Sequence, residues 1–285
     1  MLSVVRTLIG AAPVQFGIGG RAEAAAVKTL DPLFSHLRRT RVRTSLGFVE
    51  VDMRHEGQRF LAYCFHNLRR NYATSALGKY ISGLARGRTF VDVGANLGFY
   101  SLLAREAGLN VIAFEPEPSF AEFLQRNENV FGKVFAVALA DKNETLPLYV
   151  LPGNSGASSL VPHQGCELSD AIVPVSTFSD FALDGRLGDP SQIDLVKIDV
   201  EGAEEATVRG MTAFLAAGHR PDIWCEVRGN RAQRAHGSAA AVREMLEPFG
   251  YAMLDAPEHG EPGPCPSDEV LLSRRVFDAL FRAPR

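Results

Sequence analysis

Thr89-Phe90-Val91-Asp92-Val93-Gly94-Ala95-Asn96-Leu97-Gly98-Phe99-Tyr100-Ser101-Leu102 is the stretch that decides how this chain folds. Its β-prone apolar run stops at Gly94, and a helical pattern begins near Gly98. A strand that turns so sharply into a helix needs glycine where the backbone must come close to a ligand. A second strand, Val111-Ile112-Ala113-Phe114, ends on Glu115, 21 residues beyond Gly94. An acid at the tip of the second strand of a βαβ unit is placed to accept hydrogen bonds from ribose hydroxyls. The ligand class is therefore a nucleoside.

The glycine spacing narrows the ligand. A dinucleotide fingerprint, G-x-G-x-x-G, lets a helix N-terminus hold a pyrophosphate. Here Gly94 and Gly98 are not joined by a third glycine in the expected place, and Asp92 stands two residues before the turn. S-adenosylmethionine has no phosphate; its amino group and sulfonium are positive, and a carboxylate near the turn suits them. The D-x-G-x-x-x-G spacing favours it over NAD. The competing structural reading is a tight turn in which Asp92 is a local cap.

Outward from this motif the chain keeps a strand–helix rhythm. Strands are predicted at 89–93, 110–114, 133–138, 193–198 and 221–227, and helices at 98–107, 118–129, 203–216 and 238–247. The rhythm implies a doubly wound, mostly parallel sheet with helices on both faces. Tyr251–Leu254 and Glu269–Leu272 are expected to add a final strand pair. Upstream, residues 1–30 read as a loose or helical leader, 41–65 as short antiparallel strands with a hairpin near Gly57, and Asn67–Leu84 as a helix ending at Gly87. An insertion, 146–190, holds a hairpin-like run at Leu146–Leu151 and a Gly/Ser-rich loop at 153–159. That loop reads as a mobile lid or as a plain connector. The domain division expected is an N-terminal extension, 1–87, that caps the acceptor, followed by a ligand-binding domain, 88–285.

Composition bounds the rest. With 285 residues, 46% of them hydrophobic, and a net charge of −3, the chain has ample core and no basic footprint for nucleic acid. The run Arg38-Arg39-Thr40-Arg41-Val42-Arg43 reads as a solvated strand edge. Cys64, Cys166, Cys225 and Cys265 are widely separated, which argues for reduced thiols rather than a metal cluster. Residues 1–20 are too interrupted by Pro13, Gln15 and glycines for a membrane span or a signal peptide, so a cytoplasmic protein is expected.

Ligands of open α/β sheets bind beyond the carboxyl ends of the strands. Asp92, Gly94, Ala95 and Asn96 stand there after the first strand, Glu115 and Pro116 after the second, and Asp141 after the third. The fourth strand delivers Lys197, Asp199 and Glu201, and the fifth Glu226 and Arg228. Lys197 and Asp199 share strand parity and point the same way. A charged lysine in a strand buried on both faces is hard to justify by packing. Asp199 is the first candidate general base, oriented by Lys197. Glu201 and Glu226 are alternates, and His163 of the insertion a further one. Asp199, Glu201 and Glu226 also have the oxygen chemistry for a divalent metal, although nothing in the sequence demands one.

The combination V-D-V-G-A-N-x-G-F-Y-S, F-E-P-E-P, G-N-S-G-A-S-S-L and V-K-I-D-V-E-G-A-E, in order over roughly residues 88–255, resembles the FkbM-type methyltransferase family. The resemblance implies a Rossmann-like sheet with an antiparallel last strand, S-adenosylmethionine as cofactor, and methyl transfer to oxygen on a sugar, glycan, lipid or polyketide-type molecule. It makes Asp92, Gly94, Asn96, Gly98 and Glu115 look like cofactor contacts, and Asp199 and Glu201 like active-site carboxylates. The rival readings are an NAD(P)-dependent oxidoreductase, disfavoured by the missing glycine and the lack of a Tyr-x-x-x-Lys pair, and a non-catalytic domain of the same fold.

Overall fold

A computed structural model describes residues 39–151, 154–162, 165–229 and 238–284. The chain opens on a hairpin, β1 (Arg39–Thr44) and β2 (Gly47–Asp52), followed by helices α1 (Glu56–Thr74) and α2 (Ala76–Ser82). The strand–turn–helix motif follows as β3 (Thr89–Val93) and α3 (Phe99–Glu106). Then come β4 (Asn110–Phe114), α4 (Pro118–Arg126), α5 (Glu128–Phe131) and β5 (Lys133–Phe135). The insertion contributes β6 (Ala138–Leu139), β7 (Glu144–Leu151), β8 (Asn154–Ser159), β9 (Glu167–Ser176) and α6 (Phe178–Leu183). The second half runs β10 (Ile193–Ile198), α7 (Glu204–Gly210), α8 (Thr212–Ala216), β11 (Asp222–Arg228), α9 (Ala239–Leu246), β12 (Ala252–Ala256), β13 (Gly263–Pro264), α10 (Asp268–Ser273) and β14 (Val276–Arg282).

The main sheet has the order β13-β12-β14-β11-β10-β3-β4-β5. Strands β5, β4, β3, β10 and β11 are parallel, and β14 runs antiparallel between β11 and β12. The strand order reverses between β3 and β10, which opens a crevice at their carboxyl ends. Helices α6 to α9 cover one face around Phe178, Phe214 and Leu246, and α1 to α5 cover the other around Phe65, Phe99, Leu102 and Phe131. The doubly wound reading holds. Among the described residues no helix is long and apolar enough to cross a membrane.

Four expectations change. The hairpin lies at Thr44–Gly47, and the segment expected to turn at Gly57 is the start of α1. Leu61, Ala62, Tyr63, Cys64 and Phe65 are all buried, so this stretch of the helix is covered on every side and shows no helical period to read. Glu269–Leu272 belongs to α10, and the last strand is β14, whose Asp278 interrupts the apolar run. The strand expected at 133–138 stops at Phe135, and Ala138–Leu139 joins a separate sheet of order β6-β9-β7-β8. The Gly/Ser-rich loop is β8 of that sheet. His163 and the leader at 1–30 lie outside the described residues.

Two polar side chains, Asn127 and His55, tie the N-terminal hairpin and α1 to α4. Asn127, 2% exposed, accepts the Glu50 N–H at 2.7 Å and donates to the Glu50 carbonyl at 3.0 Å and the Phe123 carbonyl at 2.9 Å. At α1 the Gln58 N–H donates to His55 Nδ1, which leaves Nε2 as donor to Ser119 Oγ, 2.7 Å away at the start of α4. An Asn127→Ala variant strands buried backbone groups on both β2 and α4. It is expected to lose about 2–4 kcal/mol, seen in urea unfolding as a lower midpoint at unchanged slope; a loss under about 1 kcal/mol would show that the hairpin does not depend on this side chain.

Candidate active site

The turn after β3 has no room for a side chain. Gly94 has φ +78, and a Cβ there would sit 1.8 Å from the Asp199 carbonyl oxygen. Gly98, at φ +76, opens α3, and a Cβ there would meet Leu124 and Phe131 at 2.7 Å. These two close approaches press the turn against the end of β10 and against α4. The crevice beside them is a cavity of about 350 Å³.

Glu115 forms one wall of the cavity. Its Oε2 accepts the Asn96 N–H at 2.7 Å and its Oε1 the Glu117 N–H at 2.9 Å. Asn96 reaches it through a left-handed conformation, φ +50. Burial, only partly offset by these N–H groups, pushes the Glu115 carboxyl up to about 7. Pro116, Phe120, Ala138 and Leu139 supply an apolar flank next to it. Ala95, Asn96 and Gly94 line the cavity as well.

At the far wall stand Lys197, Asp199 and Glu201. Lys197 is 4% exposed. Its ammonium donates to the Gly94 carbonyl at 2.8 Å and pairs with Asp92 Oδ1 at 3.3 Å and Asp199 Oδ2 at 3.4 Å. The Asp92 contact is Coulombic, since Oδ1 has no aligned hydrogen bond, while Oδ2 accepts from Ser101 at 2.7 Å. Burial pulls the lysine pKa down, but Asp199 and Asp92 outweigh it and hold the group above its ordinary value. Lys197 faces Asp92 across the β10–β3 register and Trp224 across β10–β11. Asp92 is thus a buried partner behind the wall. Gly98 also lies behind it, and Asp141 pairs with Arg209 at 3.1 Å outside the cavity lining.

Glu201 is held at φ +54, and its carboxylate lies 3.9 Å from Arg228. Burial, then repulsion from Asp199, pushes it up to about 7. Glu226 and Asp278 are neighbours across the β11–β14 register. Burial and the Asp199 charge raise both, Asp278 to about 6. Aromatic side chains from the helices close the cavity: Tyr72 stacks on Phe99 at 4.9 Å, and the Tyr100 ring lies 5.8 Å from the Lys197 ammonium. Ser158 and Ser159 of β8 and Leu160 just after it close the cavity, with Ser159 Oγ donating to the Glu201 carbonyl at 2.8 Å. Tyr72, Tyr100 and Asp278 are not picked out as site residues from sequence, although Tyr100 stands two residues past Gly98 in the motif; Ser159 belongs to the Gly/Ser-rich stretch 153–159 read as a lid or a connector.

Chemically the cavity offers a carboxylate for vicinal hydroxyls at one end, an apolar slot beside it, and an acidic, lysine-braced end opposite. The residues fit a positively charged nucleoside better than a pyrophosphate, because among the described residues no cation lining this wall is left over to face phosphate: Lys197 is spent on Asp92 and Asp199.

The sequence profile of the methyltransferase FkbM domain matches residues 92–253. The chain is 32% identical over 166 residues, 46% of its length, to "Methyltransferase sdnD" of Sordaria araneosa, and the aligned part spans 63% of that protein. It is 28% identical over 198 residues, 60% of its length, to "Methyltransferase 1" of Beauveria bassiana (strain ARSEF 2860), spanning 76% of it. Among solved structures, magnesium protoporphyrin IX methyltransferase of Synechocystis PCC 6803, with bound S-adenosylmethionine, aligns at 10% identity and TM-score 0.38, over 99% of this chain and 97% of that one.

Glu115, Glu201 and Asp278 have folded pKa values of about 7, 7 and 6, above their ordinary 4.5, 4.5 and 3.8. The folded chain therefore holds more protons than the unfolded chain between these limits, and its stability falls as pH rises through them. The melting temperature of the ligand-free protein should drop between about pH 5 and about pH 8. Asp52, lowered to about 2 by Arg54, titrates below this window and does not oppose the trend. A melting temperature that rises over the same range would contradict the crowding of these carboxyls.

Proposed function

The chain belongs to the methyltransferase FkbM domain family, and we propose that it transfers a methyl group from S-adenosylmethionine to a hydroxyl oxygen of a small molecule or glycan. One observation carries the reading: a buried carboxylate held by two backbone N–H groups, Glu115, and a lysine-braced carboxylate, Asp199, line the same cavity at the carboxyl ends of β4 and β10. When bound, S-adenosylmethionine supplies a methyl carbon activated by the adjoining sulfonium.

The residues divide the work by position. Glu115 retains lone pairs on both oxygens after accepting Asn96 and Glu117, and these take the ribose hydroxyls. Pro116, Phe120, Ala138 and Leu139 flank the base. Gly94 lets the backbone pass beneath the amino-acid end, where the negative end of the cavity suits its ammonium. Asp92 and Gly98 act indirectly, the first through Lys197 and the second by setting the start of α3. Asp199, 39% exposed at its side chain, reaches the cavity and accepts the proton as the acceptor oxygen takes the methyl group; a neutral thioether leaves. Lys197 fixes the direction of that carboxylate. Aligning the acceptor oxygen with the methyl carbon is the main demand of an in-line displacement. The walls from α1, α3 and β8 are apolar or hydroxylic and exclude water around it. Residues 39–87 supply the α1 wall and the insertion sheet the β8 wall, so acceptor choice resides in them.

Calorimetric titration with S-adenosylhomocysteine, NAD and NADP tests the cofactor. Micromolar binding of the homocysteine nucleoside alone is expected, followed by its release from S-adenosylmethionine in a panel of alcohols. Binding of a dinucleotide alone would overturn the reading.

If ionised Glu115 is the ribose acceptor, with a carboxyl at about 7, affinity for S-adenosylhomocysteine should rise about tenfold from about pH 6 to about pH 8. Glu115→Gln should remove that slope, and a pH-independent affinity in the unaltered protein would count against it. Asp199→Asn should lower turnover at least about 100-fold while nucleoside affinity stays within about threefold. Full activity in that variant would remove Asp199 as base.

A further inference from the structure

The loop that carries Glu115 is short of backbone donors. It reads Glu115-Pro116-Glu117-Pro118-Ser119, and neither proline has an N–H to give. The Glu117 N–H is aimed at Glu115 Oε1, 2.9 Å away. The Glu117 carboxylate is pinned in turn: its Oε2 accepts the Phe120 N–H at 2.9 Å, which caps α4, and also the Ser119 hydroxyl. A serine hydroxyl has a single proton, and here it goes to Glu117. The Ser119 oxygen is therefore the acceptor for His55 Nε2, 2.7 Å away.

His55 belongs to a distant part of the chain, 64 residues before Ser119. It is the N-cap of α1, and its Nδ1 accepts the Gln58 N–H at 3.3 Å, which places the ring proton on Nε2. Its ring also meets the Phe120 ring edge to face, with centroids 5.3 Å apart. A chain of hydrogen bonds thus runs one way: from His55 Nε2 to Ser119 Oγ, from Ser119 to Glu117 Oε2, and from the Glu117 N–H to Glu115 Oε1. Capping α4 needs only Glu117, and capping α1 needs only His55 Nδ1. The link through Ser119 exceeds both needs, and it couples α1 to the carboxylate at the end of β4.

We propose that His55 and Ser119 are positioning residues for the nucleoside: acting through Glu117, they hold the Glu115 carboxylate in the direction that accepts the ribose hydroxyls. The proposal rests on the reading of Glu115 as ribose acceptor and extends it to a helix outside the strand–turn–helix motif. That helix also presents Phe60, Leu68 and Tyr72 to the cavity, so one element serves both its nucleoside end and its acceptor wall.

Two variants test it by calorimetric titration with S-adenosylhomocysteine. His55→Asn keeps a side chain that caps α1 well but is too short to reach Ser119. Ser119→Ala keeps the packing of His55 on Phe120 and leaves Glu117 to cap α4. Each should weaken affinity about three- to tenfold, the worth of one hydrogen bond. The double variant should lose no more than either alone, because both break the same chain. His55→Gln, long enough to donate to Ser119, should recover part of the loss. An S-adenosylhomocysteine analogue without the 2′ and 3′ ribose hydroxyls should bind the unaltered protein and both variants within about twofold. Unchanged S-adenosylhomocysteine affinity in either variant overturns the proposal. So does an equal loss for the two ligands, which marks a general loosening of the loop. If the unaltered protein does not bind S-adenosylhomocysteine, the cofactor reading falls and the proposal with it; if it binds and the variants are indifferent, the proposal alone falls.

Discussion

The buried ammonium of Lys197 is the interaction on which the rest of this site depends. It sits between two strands and a turn, bound at 2.8 Å to the Gly94 carbonyl and paired with Asp92 and Asp199 at 3.3 and 3.4 Å. An unpaired charge at that depth would cost several kcal/mol. Three partners from three places make it tolerable, and in exchange they lose their freedom to move apart. The Gly94 turn, the interior of β3 and the end of β10 become one rigid body. That body is the floor on which both the nucleoside end and the acceptor end of the cavity are built.

Around this floor the charge is deliberately unbalanced. Asp199, Glu201, Glu204, Glu226 and Asp278 gather at the carboxyl ends of β10 and β11 and the amino end of the antiparallel β14, with Arg228 as a further cation near them among the described residues. Burial and mutual repulsion push several of these carboxyls up, so the ligand-free fold bears a cost here. Local violations of good packing concentrate at functional sites. A positively charged ligand relieves this one, whether it is a sulfonium, an ammonium or a metal ion.

The remaining walls come from parts of the chain with no motif. Helix α1 is buried on every side over Leu61–Phe65, and its Phe60, Leu68 and Tyr72 form an aromatic and aliphatic side of the cavity. The insertion folds as a separate small sheet whose β8 reaches the Glu201 carbonyl through Ser159. Asn127 and His55 fasten the N-terminal hairpin and α1 to α4, which keeps the aromatic wall in register with the floor. The motif-bearing centre and the unpatterned walls are therefore mechanically joined.

By itself the sequence determined what depends on short-range constraints. Glycine at a turn with φ +78, apolar runs of strand length and acids at strand tips are local facts, and they give β3, β4 and β10, with Glu115 and Asp199 just past strand ends and Lys197 inside β10, where the structure has them. It also put Lys197 and Asp199 on one side, because strand parity is a local property. Tertiary structure decided the rest. Whether residues 56–65 become strand or helix was decided by tertiary burial, and the continuously buried run Leu61–Phe65 hides the helical period. That Asp92 faces Lys197, that Asp141 turns away to Arg209, and that Glu226 meets Asp199 and Glu201 follow from inter-strand register and helix placement. Such contacts join residues tens of positions apart, and no local pattern encodes which of many possible pairs will close.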